Sequence, residues 1–169
     1  MSDAALLDFL AHSTELEREA GERYTELAES LRTHNNLEVA DFFARMAEES
    51  ANHLAEVSAI ADGRALPSIA PWDFEWPDAE APETLSYETL HYRMTLREAM
   101  LLALGNEHAA ERFYRRYAEG DEDETVRRVA AVFASEERSH AQRLERALEA
   151  LPEVSTLARI DDDPPQMPE

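Results

Sequence analysis

The amino-acid sequence predicts an all-α fold, in which four helices form one bundle and a long crossover joins the second helix to the third. Glycine is scarce, with 4 in 169 residues, whereas helix-favouring Ala, Leu, Glu and Arg are abundant. Hydrophobic residues make up 44% of the chain, enough to build a core. The two halves also share a pattern of acid, alanine and tyrosine, whose matched residues are Glu17, Ala20, Tyr24, Ala28 and Glu29, then Glu107, Ala110, Tyr114, Ala118 and Glu119.

Two helices are predicted in the first half. The first covers residues 3–33, and its apolar stripe consists of Leu6, Phe9, Leu10, Leu16, Ala20, Tyr24, Leu27 and Leu31. The second covers residues 37–61, and its buried face is expected to contain Val39, Phe42, Phe43, Met46, Leu54 and Val57. Asn35 followed by Glu38 predicts a capping box for the second helix, and Gly63 is expected to stop it.

Residues 63–84 form the predicted crossover. Its prolines exclude a continuous helix, and they are Pro67, Pro71, Pro77 and Pro82. Trp72, Phe74 and Trp76 lie in the same stretch, and we expect their rings to be buried across the bundle. A crossover of this length is needed when the second and third helices run parallel.

In the second half, Thr95 and Glu98 form a capping box that predicts a third helix over residues 95–119, closed by Gly120. A short helical turn is expected before it, at residues 86–91. Asp121 and Glu124 are expected to cap a fourth helix over residues 123–151. We therefore predict one domain over residues 1–151 and an acidic, proline-rich tail, residues 152–169, that is disordered or lies on the surface.

Composition excludes several classes of function. The net charge of −21 argues against binding to nucleic acid or to an anionic membrane. The chain has no cysteine, which excludes disulfides, thiolate metal sites and cysteine nucleophiles. The start of the chain has no signal-peptide pattern, and the longest apolar run, residues 99–104, is too short to span a bilayer. We expect a cytoplasmic protein.

A carboxylate and an imidazole lie close together on the fourth predicted helix. Glu137 and His140 are three residues apart and are therefore neighbours on one helix face. At that spacing the two side chains can bind the same ion. The alternative is an exposed Glu–His pair on a highly charged helix.

Two further glutamates lie on apolar stripes, Glu17 on the first helix and Glu107 on the third, and His53 lies on the second helix. A buried glutamate without a partner is costly, so cations between these groups would account for their burial. The alternative is that arginines such as Arg112 or Arg138 neutralise the two acids.

This pattern resembles the ferritin-like di-iron carboxylate proteins, in particular a rubrerythrin branch that lacks the rubredoxin module. In that family four helices supply Glu, Glu-x-x-His, Glu and Glu-x-x-His, and the resemblance covers about residues 5–150. It implies a ferritin-like, up-down-down-up four-helix bundle. It also implies metal-ligand roles for a set of acids and histidines, which are Glu17, His53, Glu107, Glu137 and His140. The same resemblance implies that Tyr24 and Tyr114 hydrogen-bond the ligating carboxylates.

Three features depart from the family pattern. Ser50 stands three residues before His53, where the family has a bridging glutamate. Glu49, four residues before His53, lies on nearly the same side and could substitute, and a π-bulge in the helix would also bring it in. Ala110 stands where rubrerythrins have a second glutamate on the third helix, and Glu111 follows it. Because the chain has no cysteine for an iron module, electrons would have to come from an external donor.

The resemblance implies two metal ions, with iron favoured and manganese or zinc as alternatives. The expected function is that of an oxidase or peroxidase acting on peroxide, dioxygen or Fe(II). The alternative is a non-catalytic metal-binding or interaction protein with a degenerate site. We also expect a homodimer, with residues 63–84 as a contact surface. The remaining histidines are interpreted as surface or structural residues, and they are His12, His34, His91 and His108.

Overall fold

The computed structural model describes residues 2–74 and 92–152. Within these residues there are four α-helices and no strand, so the predicted all-α fold is confirmed. The helices are α1, Ser2–Thr33; α2, Leu37–Ala61; α3, Leu96–Gly120; and α4, Glu124–Ala150. A single 3-10 turn, Pro71–Asp73, also lies in the described part of the chain. None of the described helices is long and apolar enough to cross a bilayer.

The helices pack as two hairpins, α1 along α2 and α3 along α4. Ring contacts give the relative directions of the hairpins. Phe9, near the start of α1, contacts Tyr117 near the end of α3 with 4.9 Å between ring centroids. Further along α1, Tyr24 is hydrogen-bonded to Asn106 in the first half of α3. Helix α1 is therefore antiparallel to α3 as well as to α2, which makes α2 and α3 parallel and gives the predicted up-down-down-up order.

The turn between α1 and α2 differs from the predicted capping box. Asn35 has a left-handed φ of 62°, and its N–H donates to the Arg32 carbonyl, so it ends α1 and does not cap α2. Asn36 occupies the N-cap of α2 without a side-chain cap bond. Its side-chain amide instead donates to the carbonyl of Met94 at 2.8 Å. The asparagine pair thus ties the first hairpin to the segment that precedes α3.

The caps of the second hairpin are made by side chains. The Thr95 hydroxyl accepts the N–H of Glu98, as the sequence predicts. Helix α4 is capped by Asp123, whose carboxylate accepts the backbone N–H groups of Thr125 and Val126. The predicted cap, Asp121, instead accepts the N–H of Asp123 and shapes the turn before the helix.

The start of the crossover is only partly as predicted. Helix α2 ends at two residues of positive φ, Asp62 at 50° and Gly63 at 74°. Phe74 is buried against Phe113, as expected, but Trp72 is 85% exposed, so the prediction that it is buried is wrong. Trp72 lies within the 3-10 turn and Phe74 follows it in an extended conformation, so the two side chains project differently, and of these two rings only that of Phe74 is buried. Residues 75–91, which include Trp76, and the tail from residue 153 onward lie outside the described residues.

The core has two apolar ends. One contains Tyr24, Phe43 and Leu144, and the other contains Phe9 and Phe133 with their neighbours. Apart from Ser13, the buried polar residues of each helix fall between these two ends. The fold therefore places a polar layer at the middle of the bundle, covered by apolar side chains above and below.

Candidate metal centre

The polar layer contains carboxyl groups that are almost inaccessible to water. Glu17, Glu107 and Glu137 are 5%, 7% and 2% exposed, respectively. They come from α1, α3 and α4, while His53 from α2 and His140 from α4 reach the same layer. Burial of a charged carboxylate is costly unless hydrogen bonds or opposite charges compensate it.

Glu137 lies between the two histidines. One of its oxygens, Oε1, is 3.0 Å from Nδ1 of His53, and the other, Oε2, is 3.8 Å from Nδ1 of His140. The imidazole centroids are 4.9 Å apart. One carboxyl group therefore faces nitrogen atoms from two helices that belong to different hairpins.

Each hairpin also contributes a glutamate beside its own histidine. Oε1 of Glu17 is 3.3 Å from Nδ1 of His53, and Oε2 of Glu107 is 3.6 Å from Nδ1 of His140. Each of these two acids thus has an imidazole neighbour from the partner helix of the same hairpin. The repeated sequence pattern accordingly produces a repeated Glu–His contact.

The two tyrosines of the repeat make different hydrogen bonds. The Tyr114 hydroxyl donates to Oε1 of Glu17 at 2.9 Å. The Tyr24 hydroxyl accepts from the side-chain amide of Asn106 at 3.1 Å, so its support of a ligating carboxylate stays a prediction. Burial, followed by the nearby glutamates, raises the pKa of both tyrosines, and both hydroxyls are therefore neutral at physiological pH.

Helix α2 carries no π-bulge at Glu49, because Leu37–Ala61 is α-helical throughout. Glu49 nevertheless approaches the layer, and its carboxylate, a Glu107 oxygen and a His140 nitrogen lie within 4.8 Å of one another. A second such group consists of His53, Glu137 and His140. Glu49 also contacts Arg143, with 3.5 Å between its Oε1 and the arginine Nη2.

Ser50, which replaces the family's bridging glutamate, is buried beside Gly21 of α1. A Cβ atom at Gly21 would lie 3.4 Å from the Cβ of Ser50. Helices α1 and α2 therefore approach closely at this level, where small residues face each other. The space for a second bridging carboxylate on α2 is correspondingly reduced.

Burial and mutual hydrogen bonds shift the pKa values of the groups in this layer. Burial by itself disfavours the charged imidazole of His53, but the hydrogen bonds that this imidazole donates to Glu137 and Glu17 outweigh it and raise its pKa to about 11. Burial raises the pKa of Glu137 well above its usual range, although the bond to His53 opposes this. Burial acts in the same direction on Glu107, but hydrogen bonds with His140 and Glu137 outweigh it and lower the pKa of Glu107.

These groups fit a pair of divalent cations. The donor set consists of carboxylate oxygens and imidazole nitrogens, which suit iron, manganese or zinc. A cation would replace the protons that the cluster otherwise retains, because metal ligands bind in their deprotonated forms. The contacts described above for Glu17, Glu107 and Glu137 include imidazoles, whereas Arg143 lies against Glu49.

Glu111 is a buried acid that the sequence analysis did not select. It is 9% exposed, is bonded to Arg115 on the next turn, and lies 3.9 Å from Nδ1 of His108. Its position four residues after Glu107 places it on the same helix face, which was the available signal. His108 itself is half-exposed and lies 3.5 Å from Glu145.

The other predicted structural histidines lie away from the layer. His12 packs against Phe74 with 5.5 Å between ring centroids, and His34 contacts the Ser30 carbonyl at 2.8 Å. His91 lies outside the described residues.

Comparison with known proteins agrees with this geometry. The rubrerythrin family model matches residues 8–148. A crystal structure of an uncharacterized conserved protein from Magnetospirillum magnetotacticum is similar, with 32% identity and a TM-score of 0.67 over 88% of this chain and 97% of that one. No curated protein matches the sequence. The family match spans most of the chain and all four helices, and the chain therefore belongs to the rubrerythrin family.

Proposed function

We propose that this protein is a dinuclear-metal carboxylate protein that acts as an oxidase or peroxidase toward peroxide, dioxygen or Fe(II). The observation that carries the proposal is the position of Glu137, a buried carboxyl whose two oxygens face two imidazoles from different hairpins. Such a group can join two metal ions, and it sits where helices of a bundle build such sites.

The ligands fall into two sets that share Glu137. One set is Glu17 and His53, which contact each other, and His53 also contacts the shared Glu137 carboxyl. The other is Glu107 and His140, with Glu49 close enough to contribute an oxygen. We propose iron as the metal, with manganese and zinc as ions that the same donors accept.

A bound pair of Fe(II) ions would supply the two electrons that reduce one peroxide to water. The side chains perform the remaining tasks. Tyr114 fixes the orientation of Glu17 through its hydroxyl, as outer hydrogen bonds do for metal ligands. The apolar ends of the core exclude bulk water from the layer. Because the chain contains no cysteine, we propose that a separate reductant returns the electrons.

Metal titration followed by oxidation tests the proposal. The purified chain, freed of metal with a chelator, is titrated with Fe(II) under argon and then mixed with hydrogen peroxide. We expect two ions per chain and oxidation of both. Glu137→Ala should lose at least one ion, whereas the control Glu149→Ala, which removes an exposed acid from the same helix, should bind as the unmodified chain does.

Absence of bound iron in the unmodified chain would contradict the proposal. A second candidate function is favoured by Ser50, which removes one bridging carboxylate from the family pattern. In that case the chain is a non-catalytic metal-binding or interaction protein. Two bound Fe(II) ions that peroxide does not oxidise would support this candidate over the enzyme.

We also propose a homodimer. Trp72 is 85% exposed at the start of the crossover, and aromatic residues are enriched in protein–protein interfaces. Sedimentation equilibrium of the chain and of Trp72→Ala tests this. A monomer at all concentrations, or a dimer that does not weaken in the variant, would contradict the proposed contact.

A further inference from the structure

The two ligand sets differ in their access to solvent. In the set on the first hairpin, the side chains of Glu17, His53 and the shared Glu137 are 7%, 12% and 3% exposed. In the other set, Glu107 and His140 are similarly enclosed at 9% and 17%, but Glu49 is 35% exposed. Only the second set therefore includes a carboxylate that reaches water.

The exposed carboxylate already has a cationic partner. Nη2 of Arg143 on α4 lies 3.5 Å from Oε1 of Glu49 on α2. The same carboxylate lies within metal-ligand range of Glu107 and His140. A guanidinium and a metal ion would thus compete for one acid, since the positive charges of the two repel each other.

We propose that the centre takes up its two cations in order and that Arg143 controls the second step. The first ion binds to Glu17, His53 and Glu137, which are enclosed, with His53 in contact with both carboxyl groups. The second binds to Glu107, His140 and Glu49, and it must displace Arg143 from Glu49. This inference rests on the proposed function, because it assumes that the buried layer binds metal.

The strength of the ion pair is suited to such a displacement. Arg143 is 54% exposed, and exposed ion pairs contribute little because water and salt screen them. The pair can therefore neutralise Glu49 while one ion is bound and still give way to a divalent cation. Arg143 is thus a positioning residue, which acts on the centre through Glu49.

Zn(II) titration by isothermal calorimetry tests the inference without any redox step. At low ionic strength, Arg143→Ala should tighten the second binding event about two- to fivefold and leave the first unchanged. The matched control is Arg138→Ala, which removes the same charge from an exposed position on the same helix, nearer in sequence to His140. The difference between the two variants should shrink as salt is added.

A double-mutant cycle separates a direct contact from the general field of an arginine. In the Glu49→Gln background, Arg143→Ala should not change the affinity for the second Zn(II) ion. If Glu49→Gln alone abolishes binding of the second ion, adding Arg143→Ala should not restore it. Equal effects of Arg143→Ala and Arg138→Ala, or an Arg143 effect that persists without the Glu49 carboxylate, would overturn the inference.

The Zn(II) titration also distinguishes failure of the inference about Arg143 from failure of the proposed function. If the unmodified chain binds two Zn(II) ions and Arg143→Ala changes neither, only the role of Arg143 is overturned. If the unmodified chain binds no Zn(II) and no Fe(II), the proposed function falls together with the inference.

Discussion

The two hairpins of this bundle share one sequence pattern but differ at two matched positions. In the first hairpin Gly21 and Ser50 are small, and their helices approach closely at that level. In the second hairpin the corresponding positions are Glu111 and Glu137, both buried. The first hairpin therefore supplies close backbone packing to the layer, and the second supplies the additional acids. An internal repeat can thus keep its helical pairing while one copy lacks a buried carboxylate.

Adding a carboxylate to the first hairpin gives the largest expected effect. Ser50→Glu would bury a further acid on α2, against Gly21 where space is limited. We expect the metal-free protein to lose about 2–4 kcal/mol of unfolding free energy, because an unpaired acid is buried. Urea unfolding with and without Zn(II) measures this.

Bound metal should return much of that loss, since the new carboxylate would then have a cation to face. The control is Ser50→Ala, which keeps the small volume and should change stability by less than about 1.5 kcal/mol. A Ser50→Glu protein as stable as the unmodified chain without metal would show that the layer accommodates another acid unaided.

The matched tyrosines give the next effect in size. Tyr114→Phe removes the donor to a buried carboxylate, so Glu17 loses a charge-assisted hydrogen bond, and we expect a cost of about 1–3 kcal/mol. Tyr24→Phe removes only the acceptor of the Asn106 amide, and we expect about 0.5–1.5 kcal/mol. Thermal or urea unfolding of the metal-free variants compares them, and equal losses would contradict the difference between the hairpins.

Protonation of the His53 imidazole makes the stability of the metal-free protein depend on pH. The pKa of His53 is raised from 6.5 to about 11, so its contribution is fully present below about pH 6.5 and is lost as the pH rises toward 11. We expect a loss of about 1.3 kcal/mol for each pH unit between pH 7 and pH 9, because one proton is linked to folding. His53→Gln should flatten the profile of the urea midpoint, whereas the control His34→Gln, at an exposed position, should not.

Much of the fold could be predicted because helical periodicity and the repeated residue pattern can be read from continuous stretches of sequence. Glu17 and Glu107 lie on apolar stripes, and the structure brings both to one buried layer with His53, Glu137 and His140. The contact of Arg143 with Glu49 could not be predicted, because it depends on how two helices from different hairpins face each other. The roles of these acids and histidines as metal ligands, and of Arg143 as the partner of Glu49 during metal binding, stay predictions.

The helix caps also show that a local sequence pattern does not reveal the influence of neighbouring elements. A capping box needs two residues of suitable type at a fixed spacing, which Asn35 with Glu38 and Thr95 with Glu98 both satisfy. Only Thr95 caps its helix, because Asn35 is already used in the left-handed conformation that ends α1. The preceding helix, which the pattern ignores, decides the outcome.

The smallest expected effect compares the N-caps of the two hairpins' second helices. Asp123 accepts two backbone N–H groups at the start of α4, so Asp123→Ala should cost about 1 kcal/mol of unfolding free energy. Asn36 makes no cap bond to α2, and its amide instead bridges to the carbonyls of Tyr92 and Met94. Asn36→Asp would keep an oxygen suited to capping but lose both donated bonds. If tertiary bridging is the role of Asn36, this variant is destabilised in urea unfolding. If capping is its role, the variant is at least as stable in urea as the unmodified chain, and the two hairpins do not differ in the role of this position.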